Sequence, residues 1–259
     1  MSQRKISKTY YTGLAVSGLL IFLALWFVIS SRGIVPPFFM PTPLRVSRAI
    51  VTMYQSGNLI NDIEASVYRI LMGFLLSILF AFPVGLALGI SKRFEAITGP
   101  LMAFIRYVPP SAFIPLAIIW FGIGEGSKIM LVFLGVAPYL GILVADIVKN
   151  TKQGLIEAAL TLGATKKDIL YHVVIPSSLP GIWDATRLMI GAAWTFVIIA
   201  EIIGASRGMG HMMIESQRFL RTDNIFAGIV IIGFIGIATD YFFKITYKIL
   251  FPWTQKSIH

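Results

Sequence analysis

Cysteine is absent from the 259 residues, and histidine occurs three times. The first absence excludes disulfides, a thiol nucleophile and iron–sulfur ligation, and three scattered histidines do not make a structural zinc site. Charge is scarce too. Asp, Glu, Lys and Arg make up 13% of the chain, about half the roughly 25% of a soluble domain. With 56% hydrophobic residues, that shortage excludes a disordered or ordinary soluble chain and points to the bilayer. The phosphate-binding pattern G-x-x-x-x-G-K-[ST] is missing. Gly122-Ile123-Gly124-Glu125-Gly126-Ser127-Lys128 is glycine-rich but in the wrong order. No Ser, His and Asp arrangement with a hydrolase context occurs, so no catalytic residue and no bound cofactor or metal is expected in this chain. Repeats of 20–50 residues and low-complexity tails are lacking as well, and 1–259 reads as one membrane domain.

What the chain has is long apolar runs. A hydrocarbon core of roughly 30 Å takes about 20 apolar residues per helix. Six stretches qualify: 12–30, 67–90, 99–121, 128–148, 181–203 and 225–250. The first follows Arg4, Lys5 and Lys8 as a signal peptide would. Its apolar run exceeds the usual h-region of about 7–15 residues, and no small-residue cleavage site follows, so it reads as a retained span. The expected fold is all-α, a polytopic membrane bundle of six transmembrane helices.

The formal net charge is +10. On a soluble protein this would suggest nucleic acid, but here no nucleic-acid partner is expected and membrane lipid takes its place. The useful question is which loops hold the basic residues. With the N-terminus inside, the inner segments carry Arg4, Lys5, Lys8, Lys92, Arg93, Lys149, Lys152, Lys166, Lys167, Lys244, Lys248 and Lys256. The outer loops carry Arg32, Arg45, Arg48, Arg207, Arg218 and Arg221. Twelve against six predicts both termini in the cytoplasm.

Two segments are too long and polar to be turns. Residues 31–66 hold Pro36-Pro37 and Pro41-Thr42-Pro43, then a predicted surface helix over 44–55 ended by Gly57-Asn58. Residues 149–180 form the largest inner loop. A helix there should stop at Gly163, which tolerates the left-handed conformation after a helix end. Thr165 followed by Asp168 gives the spacing of a capping box for a second helix. Pro176 and Pro180 should then stop that helix and open the fifth span. Small Ala158-Ala159 beside Glu157 permits close approach by a partner, with one charge to orient it.

The pattern Glu157-Ala158-Ala159, Gly163 and Val173-Val174-Ile175-Pro176 resembles the EAA loop of ABC importer permeases, with Val173 and Ile175 as conservative departures. Pro41-Thr42-Pro43, Arg106-Tyr107-Val108-Pro109-Pro110, Ile119-Trp120-Phe121-Gly122-Ile123-Gly124, Ala200-Glu201 and Arg207-Gly208-Met209-Gly210 look like the nitrate/sulfonate/taurine/bicarbonate branch of that family. Phe251-Pro252-Trp253 is similar to taurine permeases. The resemblance spans roughly 36–255. It implies a type I ABC importer permease in the bacterial inner membrane. It also implies a second permease copy, expected to be identical, two ATP-binding subunits that hold ATP and Mg, and a periplasmic or lipid-anchored substrate-binding protein. In the family the loop seats in the ATP-binding subunit, so Glu157, Ala158, Ala159, Gly163, Val173, Ile175 and Pro176 are the expected coupling residues. Taurine or another aliphatic sulfonate is the first expected substrate, and nitrate or bicarbonate the second.

Each charge inside a span costs about 2.5–3.5 kcal/mol on insertion scales and needs an account. Arg106, with Tyr107, precedes Pro109-Pro110 in the third span. Either this interrupted helix lines an anion path, or Arg106 snorkels and pairs with a carboxylate or a headgroup. Glu201 pairs with Arg207 or with another subunit, in a structural or gating role. Asp184 with Arg187, and Asp240 with Lys244, have helical pairing distances. Gly85 and Gly89 form a small-xxx-small pattern for close helix packing. His211 and Glu215 are too few ligands for a metal, and Trp183, Trp194 and Phe196 read as bundle packing. An ion-coupled secondary transporter would need midplane coupling groups and, often, inverted repeats, and neither is found. A membrane-embedded enzyme would need a clustered catalytic set, and the ionisable residues are scattered.

Overall fold

The computed structural model describes residues 7–257, all helices and connections with no strand among them. Arg4 and Lys5 lie outside the described residues, as do the side chains of Lys8 and Lys256. The helices are α1 (Lys8–Ser31), α2 (Pro43–Gln55), α3 (Asn58–Ile90), α4 (Lys92–Tyr107), α5 (Ile114–Phe121), α6 (Glu125–Lys149), α7 (Gln153–Thr161), α8 (Lys166–Ile169), α9 (Ile175–Gly204), α10 (Met209–Arg218) and α11 (Thr222–Leu250). Among the described residues, five helices are long and apolar enough to cross a membrane, and the α4–α5 region makes a sixth candidate.

The third span, expected to be interrupted at Pro109-Pro110, is sharply bent. α4 meets the next arm, the 3-10 turn Pro110–Phe113 followed by α5, at 92° across a break at Val108 and Pro109. The cause is local. A residue before proline is pushed out of the helical region, and here two in succession precede prolines. Val108 has ψ 121° and Pro109 ψ 132°, so the helix cannot continue.

The chain falls into two compact units, residues 1–60 with 212–231 and residues 61–211 with 232–259. In the smaller, Trp26 of α1 donates its indole N–H to the Pro41 carbonyl at 3.0 Å and stacks on Phe226. α2 begins as the sequence predicts: Thr42 accepts from the Arg45 N–H at 3.3 Å, Pro43 opens the helix, and Gly57 follows its end at φ +76°.

In the larger unit α6 is the central helix, with Val132, Val136, Leu140 and Val144 fully buried. Small residues let α3 lie against it. A Cβ on Gly73, Gly85 or Gly89 would stand 2.6 or 2.7 Å from the Cβ of Val132, Val144 or Val148 in turn. Lipid tails are as apolar as leucine, so close backbone approach and dispersion must supply this contact. The same three pairs show that α3 and α6 run parallel, so the chain between them must cross back. α4 starts beside the end of α6, where Lys149 pairs with Glu95 at 2.6 Å. α5 packs Ile114 and Ala117 on Leu131 and Ala200. The broken pair is therefore a crossing. α9 returns antiparallel to α6, Phe196 filling the space over Gly135 and Gly181 facing Ile147. α11 packs antiparallel on α9 through Trp183 Nε1, which donates to the Phe243 carbonyl at 3.1 Å.

Two helix starts differ from expectation. α3 begins at Asn58, because its first turns are polar and hydropathy marks only the embedded part. Pro176 and Pro180 do not separate two helices. α8 passes through a π-turn, Leu170–Val174, directly into α9. The Ile175 N–H reaches back to the Leu170 carbonyl, and the widened turn accommodates Pro176, which has no N–H to contribute.

Candidate functional site

The 150–176 segment, at the end of the bundle where α6 stops, is shaped by its own backbone chemistry. α7 ends in a Schellman motif: the Ala164 N–H bonds the Ala159 carbonyl at 3.0 Å and the Gly163 N–H the Leu160 carbonyl at 2.9 Å. Gly163 sits at φ +82°, which a side chain would oppose. Two residues on, Thr165 and Asp168 complete a reciprocal capping box. The Asp168 N–H donates to the Thr165 hydroxyl, and the Thr165 N–H donates to the Asp168 carboxylate at 2.9 Å. The turn is thus fixed at both helix ends without burial. Glu157, Ala158 and Gly163 are exposed, and Ala159, Val173, Ile175 and Pro176 are half-buried. The coupling candidates divide accordingly into an exposed set and a set packed under it. Leu162, at the tip, is 87% exposed.

At the opposite end lies a cluster that sequence reasoning missed. Arg69 of α3 forms a two-pronged pair with Glu125 of α6 at 2.6 and 2.7 Å, and its Nη1 donates to Glu201 of α9 at 2.7 Å. Glu201 is fully buried and also accepts from the Ser66 hydroxyl at 2.7 Å and the Gly210 N–H at 2.8 Å. Glu201 therefore does not pair with the Arg207 side chain. Arg207 contributes its backbone carbonyl, which accepts from Arg69 at 2.7 Å. Asp62 and Ser66 capture the N–H groups of Gly208 and Met209 at 2.8 and 2.9 Å. The 207–210 backbone is thereby fastened to α3. At Gly208, φ is +128° and a Cβ would stand 2.5 Å from the Glu201 carboxyl carbon. One signal could have found this cluster: Arg69 is a charge just inside the second apolar run, with Asp62 and Ser66 on the same helical face.

Arg187 binds Asp240 at 2.5 Å and Asp184 more loosely at 3.8 Å, while Lys244 meets Asp240 at 2.7 Å. Arg106, in the last turn of α4, has no carboxylate within pairing distance among the described residues. It donates to the Tyr107 hydroxyl at 3.1 Å. Pro109 and Pro110 form the break beside it. His211 and Glu215 lie on α10, and no metal-sized cluster of His, Cys, Asp and Glu occurs among the described residues.

Residues 73–256 match the family described as Binding-protein-dependent transport system inner membrane component. The taurine transport system permease protein TauC of Escherichia coli is 34% identical over 245 residues, 93% of this chain and 89% of that one. A Bacillus subtilis protein named for aliphatic sulfonates transport, the permease SsuC, is 34% identical over 90% of this chain and 84% of its own length. Among solved structures, an inward-facing MetNI methionine ABC transporter superposes with TM-score 0.63 at 19% identity, covering 73% of this chain and 96% of that one. An amino acid ABC transporter gives TM-score 0.63 at 16% identity, covering 77% and 95%.

Proposed function

The chain belongs to the family of binding-protein-dependent transport inner membrane components, a permease of an ABC importer in the inner membrane; from that premise we propose that its cargo is taurine or another aliphatic sulfonate. Both termini face the cytoplasm, as the basic-residue asymmetry predicts. The 150–176 segment is then cytoplasmic and the Arg69–Glu201 end faces outward. Two copies of the chain form the pore. Two ATP-binding subunits, which hold ATP and Mg, seat on Glu157, Ala158, Ala159 and Gly163. A substrate-binding protein, periplasmic or lipid-anchored, delivers cargo to the 31–58 and 204–224 segments.

The observation that carries the docking role is the exposed tip Leu162 on a turn capped at both helix ends. Such a turn holds its shape without a partner and offers apolar surface to one. Val173, Ile175 and Pro176 lie where the segment becomes α9, so a push on the capped turn passes through the continuous α8–α9 helix into the membrane. Closure of the ATP-binding subunits favours the pore conformation whose two loops fit the closed pair, and hydrolysis returns the other. The chain supplies the conduit and the partner supplies the energy.

Co-purification from membranes that co-express the neighbouring transport subunits tests this. Wild type should bring down an ATPase, and Glu157→Lys should lose it or uncouple it while the chain stays folded. A chain that purifies alone in both forms would refute the docking role. Competition of taurine uptake by nitrate, bicarbonate and alkanesulfonates separates the substrates.

A further inference from the structure

A sulfonate is anionic at every physiological pH, and its passage through the middle of a bilayer needs a positive partner there. Among the described residues, Arg69, Lys128, Arg187 and Lys244, four of the cations on the spanning helices, are each within 4 Å of a carboxylate: Glu125 at 2.6 Å, Glu125 at 3.7 Å, Asp240 at 2.5 Å and Asp240 at 2.7 Å. Arg106 differs. Its guanidinium carbon lies 4.9 Å from the Tyr107 ring centre and 5.8 Å from that of Tyr139. Aromatic faces steady a guanidinium and leave its positive charge in place. Tyr139 stands ten residues before the end of α6, about 15 Å along the axis, half the roughly 30 Å hydrocarbon thickness. Arg106 is therefore near the midplane. Arg106 itself is half-buried, and the neighbouring Tyr107 is 75% exposed in the single chain.

We propose that Arg106, with the hydroxyls of Tyr107 and Tyr139, is a sulfonate-binding half-site on the translocation path, one in each copy. The assignment rests on the sulfonate reading above and gives it a place in the chain. A guanidinium presents paired N–H donors that match two oxygens of a planar or trigonal oxyanion. The Tyr107 hydroxyl accepts from Arg106 and keeps its own proton to donate to the sulfonate, and the Tyr139 hydroxyl can do the same. A single open cation binds such a group weakly enough to release it, as transit requires.

The test uses the complete importer in vesicles with saturating loaded binding protein, and reads taurine delivered per ATP hydrolysed. Arg106→Gln should lower that ratio at least about tenfold, the loss of a charge-assisted contact, while loaded binding protein still stimulates ATP hydrolysis. Arg106→Lys should restore part of it. Tyr107→Phe and Tyr139→Phe keep the rings and remove the hydroxyls, and each should lower the ratio by about two- to fivefold. A wild-type ratio in Arg106→Gln overturns the half-site and leaves the sulfonate reading standing. If Arg106→Gln does not assemble, wild-type ratios in both tyrosine variants overturn it. A wild-type importer that moves no sulfonate overturns the reading and the site together.

Discussion

Glu201 and Glu157 stand at opposite ends of the larger unit under opposite conditions. Glu201 is fully buried among Ser66, Arg69 and the Gly210 N–H. Glu157 is exposed on a short helix whose neighbours leave it unburied. Two of the three groups that hold the first, Ser66 and Arg69, lie more than 130 positions away in sequence. The turn beside the second is held by bonds spanning no more than five positions. Burial makes the Glu201 cluster a matter of stability, because each partner removed leaves a buried charge behind. Exposure leaves the Glu157 turn open to change, since altering its surface costs the fold little.

Substitutions at the two ends should therefore separate stability from docking. The largest effect belongs to Arg69→Met, which strands Glu201 in the interior. It should lower unfolding stability in detergent by about 3–5 kcal/mol, read as a denaturation shift, and Glu201→Leu added to it should recover much of the loss. Gly208→Ala comes next. The added methyl collides with Glu201 and Arg69 at an unfavourable φ, so a loss of about 2–3 kcal/mol is expected. If either variant melts like wild type, the cluster is not what fastens 207–210 to α3.

Smaller effects should appear at the other end. Thr165→Ala removes a cap worth about 1 kcal/mol. Its consequence should be faster hydrogen exchange over 163–170, with global melting hardly moved. Glu157→Lys should shift melting by no more than about 0.5 kcal/mol and still lose the ATP-binding subunit or uncouple it. A large melting shift in Glu157→Lys would erase the contrast between the two ends.

Local features were legible from residue order. The six apolar runs, the turn at Gly163 and the Thr165–Asp168 box follow from composition and from spacings of three or four residues. Pro109-Pro110 announced an interruption of the third span, though not its angle, which depends on where α5 finds Leu131 and Ala200. The fusion of α8 and α9 was hidden, because proline normally ends a helix and only the π-turn before Pro176 removes the conflict. The partner of Glu201 was hidden too. Arg207 is six positions away and Arg69 is 132 away, and hydropathy contains no term for that distance.

Sequence alone determined that the chain crosses a membrane, roughly where it crosses, and how the 150–176 turn is capped, since each depends on transfer free energy or on short-range hydrogen bonds. Tertiary structure decided which buried charges neutralise one another, how the third span bends, and that Arg106 stands near two tyrosines with no carboxylate beside it among the described residues. Those outcomes depend on packing between helices far apart in the chain, where close approach at Gly73, Gly85 and Gly89 brings α3 against α6.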